Sequence, residues 1–437
     1  MKNIKTLAPI VLAVLVALSF YKLYSDRSAV KNEYTSYVTE ARKYAEQGII
    51  VDAIDNYSKA LQMHDTLELS LEVGKFYVDM KDIVSAIGWG EMLIEKYPKE
   101  PAAYDFLVDI YLKNNDYNST YALIDKIKGL GLSTKNTESI IDRVKYLYFF
   151  GDSYEDAGSF NEGLCTVKYE EAYGAVDTSG SKSVPFKFQE VGTFIDGIAP
   201  VKDTDGSCYY IDKEGNKKIV IKDVKDIIKL GNFGGEYYPV CTGPVWNYYN
   251  TEFKKVLGDY QYASTMANGF ASVMEDSYYY IIDTNGKKLT NQKYDGIVED
   301  YKGIIFRNNS FFVEMNDGLY YLLDSTGKKV TNEGYISAEL FLDETYAAVE
   351  TKKGWCFIDN TGKKVFGDLY FEDANSFSNG FAAVKKDGMW GFINIDGEVA
   401  IDYSFEDAHN FSPDGTVFVK SEDIWKLLLL YSYNYDV

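Results

Sequence analysis

Histidine is nearly missing from this chain of 437 residues, with only His64 and His409 present. Two lone imidazoles in different parts of the sequence cannot build the usual nucleophile–base pairings of a hydrolase. Gly151-Asp-Ser153 resembles a lipase nucleophile block but lacks the downstream Asp-x-x-His, so it is set aside. Cysteine is sparse as well. Cys165, Cys208, Cys241 and Cys356 contain no C-x-x-C pair, which removes zinc spacing, and all four read as small buried hydrophobes. No glycine-rich loop of either nucleotide-binding type follows a strand, so phosphate cofactors have no cradle and no cofactor is expected. Asp203-Thr-Asp205-Gly206 lacks the glutamate that closes a calcium loop; it reads as a hairpin turn, and no metal is expected. Basic blocks are missing too: 45 Lys and Arg stand against 66 Asp and Glu, a formal net charge of −21 that repels phosphate backbones and argues against nucleic acid. These absences together predict that the chain is not an enzyme.

Aromatic residues are what the chain has in excess, 39 Tyr and 25 Phe. That load suits strand-rich repeats, where rings pack on a pleated face and hydroxyls reach water. An apolar run from Leu7 to Leu18 follows Lys2 and Lys5. Its length lies between a signal-peptide core and a full span, and no cysteine follows for lipidation. We read residues 1–31 as a membrane anchor or uncleaved signal segment. The expected location is therefore the cell membrane, single-pass, with the bulk of the chain extracytoplasmic.

Over 32–150 the pattern turns helical with a period of 33 to 34 residues. Tyr37, Ala41, Tyr44, Gly48, Ala53, Tyr57 and Ala60 align with Gly74, Tyr77, Ala86 and Pro98, then with Tyr104, Leu107, Tyr111 and Thr120. Small residues recur where paired helices cross, and aromatics fill the remaining holes. The section resembles the tetratricopeptide repeat, with three units and a capping helix near 137–150; Thr120 and Gly90 depart from its pattern. The resemblance implies a groove lined by the first helix of each hairpin. Arg42, Glu46, Lys75, Asp79, Asp109 and Lys113 are the candidate peptide-binding residues.

Over 151–437 the punctuation changes to Asp-x-x-Gly turns at Asp177–Gly180, Asp212–Gly215, Asp283–Gly286, Asp324–Gly327 and Asp359–Gly362, with Asn394-Ile-Asp-Gly397 as a variant. The long gap between the second and third predicts a degenerate unit near 237–260. Ahead of each turn lie an aromatic, as in Trp355-Cys356 and Trp390-Gly391, and a small apolar strand, as in Gly380-Phe-Ala-Ala-Val384. Asp-Gly between alternating apolar runs predicts hairpins. These elements resemble the WG repeat of bacterial proteins, about seven units plus a partial eighth, each a three-stranded meander with room for a short fourth strand. Two architectures protect such strand edges, a closed propeller-like ring or an open β-solenoid; the unit count favours the ring.

The expected fold is thus α+β multidomain: a membrane helix, a tetratricopeptide-like α-solenoid and an all-β repeat array. The expected function is a membrane-tethered, non-catalytic scaffold for protein–protein interaction. The alternative is an extracytoplasmic carbohydrate or cell-wall binding module, which requires exposed Trp355 and Trp390 as sugar platforms. Expected partners are a protein or peptide, the membrane through the N-terminal helix and, under the alternative, cell-wall polysaccharide.

Overall fold

The computed structural model describes residues 7–222, 224–343 and 345–434. They form two compact units that divide between Lys145 and Tyr146.

The first unit is entirely helical: α1 (Leu7–Glu46), α2 (Ile50–Met63), α3 (Leu67–Asp79), α4 (Ile83–Lys96), α5 (Pro101–Lys113), α6 (Tyr117–Leu130) and α7 (Lys135–Val144). Short polar side chains start them: Thr66, Asp82, Asp116 and Thr134 each accept a hydrogen bond from the amide three residues on. Pro101 occupies the first turn of α5, where its missing N–H costs nothing. Buried Ala41, Ala53, Ala60, Ala86 and Ala103 let neighbouring helices approach closely. The two positions that break the expected repeat have local reasons. A side chain at Gly90 would collide with Leu107, and Thr120 is buried with its hydroxyl bonded to the Asp116 carbonyl at 2.7 Å.

Most of the anchor expected over 1–31 is not shown. Residues 1–6 lie outside the described residues, as do most side chains of the apolar run in α1. Among the described residues, no helix is long and apolar enough to cross a membrane. The capping helix expected to reach 150 ends at Val144, and Tyr148–Tyr154 is already a strand.

The second unit is a closed ring of eight antiparallel blades. Blades 1 to 7 span 156–188, 190–219, 227–260, 262–283, 296–324, 337–358 and 373–405. Blade 8 takes three strands from 407–430 and its fourth from Tyr148–Tyr154, which pairs with Ile424–Leu430. The eighth unit is therefore complete rather than partial, because the start of the array supplies its missing edge. This first-to-last pairing leaves no open end, the ring solution to the exposed-edge problem.

Repeated residues build each blade. In the turns, one carboxylate oxygen of Asp177, Asp212, Asp283, Asp324 or Asp359 accepts from the amides two and four residues on, at 2.8–3.2 Å. The glycine between those amides has a positive φ of 76–88°. In the degenerate unit, blade 3, Asn250 makes the same two bonds and Phe253 takes the left-handed position at φ 58°. The aromatic before the turn is core: Trp355 and Trp390 are 8% and 7% exposed. The residue after it is glycine in blades 1 and 7, where a Cβ at Gly391 would stand 2.7 Å from the Ile401 carbonyl of the fourth strand, whereas the four-stranded blades 2, 3 and 8 carry Tyr209, Asn247 and Lys426 there. Blades 4, 5 and 6 carry Tyr280, Tyr321 and Cys356 there and have only three strands. Amide side chains then clasp blade to blade. Asn161, Asn268 and Asn379 donate to the carbonyls of Phe194, Phe306 and Phe411 on the following blade.

Candidate functional site

One edge of every blade converges on the ring axis, and blade 5 is built differently there. Each blade begins with a very short strand, two residues long in seven of the eight, and then a large apolar residue that is buried or half-buried. Three residues separate Ala157 from Phe160, Val191 from Phe194, Ala263 from Met266, Ala374 from Phe377 and Ala408 from Phe411. Nine separate Ile297 from Phe306, an insertion of six. The inserted segment is itself an Asp-x-x-Gly turn, Asp300-Tyr-Lys-Gly303. Asp300 accepts from the amides of Lys302 and Ile304, both at 2.9 Å, and Gly303 has φ 73°. With no exposed side-chain surface, the Asp300 carboxylate is also paired with Arg307 at 3.1 Å.

This turn reaches blades that are not its neighbours. The Tyr301 hydroxyl donates to the Phe160 carbonyl of blade 1 at 3.0 Å, and Lys302 Nζ to Asn161 Oδ1 at 3.3 Å. The Lys302 carbonyl accepts from Asn232 of blade 3 and Thr265 of blade 4, at 3.0 and 2.7 Å. Thr193 of blade 2 donates to the Tyr301 carbonyl at 3.4 Å. A segment of blade 5 that bonds blade 1 must pass through the interior of an eight-membered ring, so Asp300–Ile304 plugs one end of the axial channel. Two clefts of about 250 and 230 Å³ flank the plug, and both are lined by Val191, Gly192, Thr193 and Tyr301.

Burial sets the electrostatics of this mouth. It pushes the Lys302 ammonium down from its ordinary value, with Arg307 adding repulsion, and pushes the Tyr301 phenol up. Burial also raises Glu299, although Tyr262 and Ser272 donate to its two oxygens at 2.6 and 2.7 Å. Glu339, at the start of the blade 6 loop, is pushed up to about 7 by burial and then by Asp373. The residue as a whole is exposed, so solvent screening reduces what that shift is worth to stability. The buried Arg307 Nε and Asn308 Nδ2 beside the plug have no acceptor.

The six groove residues all fall on α1, α3 and α5, but they are not equally free. Arg42 is held by Glu72 in a two-pronged pair at 2.7 Å, and Tyr57 donates to the same carboxylate. Arg42 in turn holds the Glu72 carboxyl below its usual range. Arg42 therefore fastens α1 to α3 while its side chain stays 57% exposed. Asp109 is half-buried, 3.4 Å from Asn136 Nδ2. Glu46, Lys75, Asp79 and Lys113 are exposed. Among the described residues, no hydrogen bond or ion pair joins any two of the six.

Other residues singled out from the sequence have structural places. His409 bonds the Ala157 carbonyl at 2.7 Å through Nε2 and stacks on Trp425 at 4.2 Å, joining blade 8 to blade 1. His64 caps α2 and meets Tyr34 edge-on. Asp203–Gly206 is a hairpin turn between two strands of blade 2. Cys165 and Cys356 are buried as expected, whereas Cys208 and Cys241 are only partly so. Cys208 stands where other blades carry Trp or Tyr, and it lines the larger cleft beside the plug.

A family described as WG containing repeat matches residues 173–206, 355–390 and 390–425, so the array contains WG-containing β-repeats. No curated protein matches the chain. Among solved structures, a crystal structure of Kluyvelomyces marxianus Hsv2 is similar at 11% identity and TM-score 0.38, covering 56% of this chain and 93% of that one. A crystal structure of BBS1N in complex with ARL6DN, soaked with mercury, gives 10% and 0.34, covering 67% and 99%. TM-scores this low carry no argument about what the chain does. None of these likenesses supports the tetratricopeptide resemblance of the helical unit, and burial of Trp355 and Trp390 removes the sugar platforms that the cell-wall alternative required.

Proposed function

We propose that this chain is a non-catalytic binding protein that takes a protein partner at the plugged mouth of its ring. The supporting observation is the inserted Asp300–Ile304 turn. It is absent from the other blades' loops and leaves Tyr301 39% exposed at a point where loops of blades 1 to 4 converge. A tyrosine with a fixed hydroxyl and a solvent-facing ring is a low-entropy anchor of the kind that dominates protein interfaces. The exposed Glu46, Lys75, Asp79 and Lys113 offer the helical unit a second, peptide-sized contact. The apolar run 7–18 supports a membrane tether with the ring outside the cytoplasm; deleting it would move the protein from the membrane to the soluble fraction.

The test is site-specific photo-crosslinking in the native cell. A photoreactive residue in place of Tyr301 is expected to give one protein adduct, and the same group at exposed Val256 on the rim of blade 3 is expected to give none. Equal adduct patterns at the two positions, or none at 301, would sink the proposal.

A further inference from the structure

Blades 2, 4, 5 and 6 carry a lysine five residues after the turn aspartate: Lys217, Lys288, Lys329 and Lys364. Three residues before that aspartate stand Tyr209, Tyr280, Tyr321 and, in blade 6, Cys356. In the first three blades the ammonium sits over the tyrosine ring, 3.7, 3.4 and 3.2 Å from its centre, a charge satisfied within the blade. Blade 6 has kept the lysine and lost the ring; blade 1 also sets a lysine, Lys182, beside a ringless Gly174, but there the fourth strand fills the place.

The space is open. Where the tyrosine would lie, a cleft of about 380 Å³ runs between blades 5 and 6, floored by Cys356 and Tyr335 and walled by Leu319, Ile336 and Ile358. Blade 6 has no fourth strand to cover it, only isolated bridges from Trp355 to Phe371 and from Ile358 to Lys364. Lys364 turns aside to Tyr370, accepting its ring at 4.1 Å and donating to its hydroxyl at 2.7 Å. Exposed Lys352 and Lys353, on the hairpin that ends beside the cleft, complete a basic rim on a chain of net charge −21; Glu333 is the one carboxylate in the lining.

We propose that this cleft binds a small aromatic carboxylate, the ligand's ring taking the place of the missing tyrosine and its anionic group meeting Lys352 and Lys353. The volume lies within the range of small-molecule sites, and apolar walls with a few convergent polar groups are what such sites require. The ring gains the apolar contact and the cation–π contact with Lys364 that Tyr321 makes with Lys329 one blade earlier. The carboxylate supplies the counter-charge for Lys352 and Lys353, whereas Lys364 already meets Asp368 at 3.6 Å.

The probe is 2-naphthoate, titrated calorimetrically into the full chain, with neutral 2-naphthalenemethanol as its counterpart. Saturable one-to-one binding of the naphthoate is expected, weaker by about tenfold for the alcohol. Cys356→Tyr restores the residue of the neighbouring blades and should abolish binding while leaving thermal stability equal or higher. Lys352→Glu with Lys353→Glu, on an exposed hairpin that folding does not depend on, should weaken the naphthoate and leave the alcohol unchanged. Absence of saturable binding to the unaltered chain, equal affinity for acid and alcohol, or undiminished affinity in folded Cys356→Tyr would each overturn the proposal.

Discussion

Blade 7 and blade 5 have the same central hairpin, yet they differ in what has been added and removed. Blade 7 carries Trp390-Gly391 and a fourth strand that Gly391 admits, and its axial loop is short. Blade 5 carries Tyr320-Tyr321, has no fourth strand, and its axial loop holds an extra turn that reaches blade 1. The residues they share are those that pack and turn. Those they do not share are the ones a ring can do without, and they are placed where a ligand or partner can meet them. The repeated positions are therefore expected to govern stability and the unrepeated ones recognition.

The comparison would break first at Trp390. Its side chain is buried among Ala383, Phe392 and Phe405, and Trp390→Ala is expected to cost about 3–5 kcal/mol, read by denaturant unfolding. A loss below about 1 kcal/mol would mean that the repeat aromatics are not what holds the blades.

The turns of this ring were legible because each is a local contract between an aspartate, two amides and a glycine, all within five residues. The degenerate blade 3 could be placed by spacing alone, since its Asn250 and Phe253 keep the geometry without the motif. The closing strand was not legible. Tyr148–Tyr154 directly follows a helix and pairs with residues about 280 positions away, so no local pattern announces it. The plug has a plain signal of its own: Asp300-Tyr-Lys-Gly303 is one more Asp-x-x-Gly, out of register with the others, and the repeat spacing alone does not point to it. Among the groove residues, charge and helix position were readable, but the capture of Arg42 by Glu72 needed the packing of α1 on α3. The four cysteines show the same limit. Their chemistry was readable, whereas the vacant tyrosine position that Cys356 leaves became visible only once the blades could be laid side by side.

Two residues of the axial loops sharpen the comparison through pH. His409 is half-buried with its Nε2 proton on the Ala157 carbonyl, and desolvation holds its pKa below the ordinary value. A depressed base is more readily protonated when unfolded, so its contribution is present above pH 6.5 and is lost as pH falls. His409→Phe keeps the stack on Trp425, costs about 1 kcal/mol at neutral pH for the lost hydrogen bond, and should remove that acid sensitivity. Glu339 has the opposite sign. Its carboxyl is raised to about 7, so its neutral form favours the fold and stability falls as pH rises from 4.5 through 7. Glu339→Gln should leave the melting temperature unchanged at pH 5 and raise it by roughly 2 °C at pH 8, a modest shift because the carboxyl still reaches solvent. Melting curves that move in parallel at both pH values would show that neither group senses its burial.

The smallest effect on stability is expected at the plug itself, where it distinguishes a structural stopper from a recognition element. Tyr301→Phe removes one hydrogen bond, to the Phe160 carbonyl, and keeps the ring; it should cost about 1 kcal/mol or less. Tyr301→Ala removes the ring too, and because the residue is 39% exposed the further cost should be only about 1–2 kcal/mol. If the turn serves only to close the channel, the two variants should hold a partner equally well. If the exposed ring is the anchor, the phenylalanine variant retains the partner captured by crosslinking and the alanine variant loses it, although the two chains melt within a few degrees of each other. Equal retention by both would leave blade 5's insertion as a stopper, and the unrepeated residues would then lose their claim to recognition.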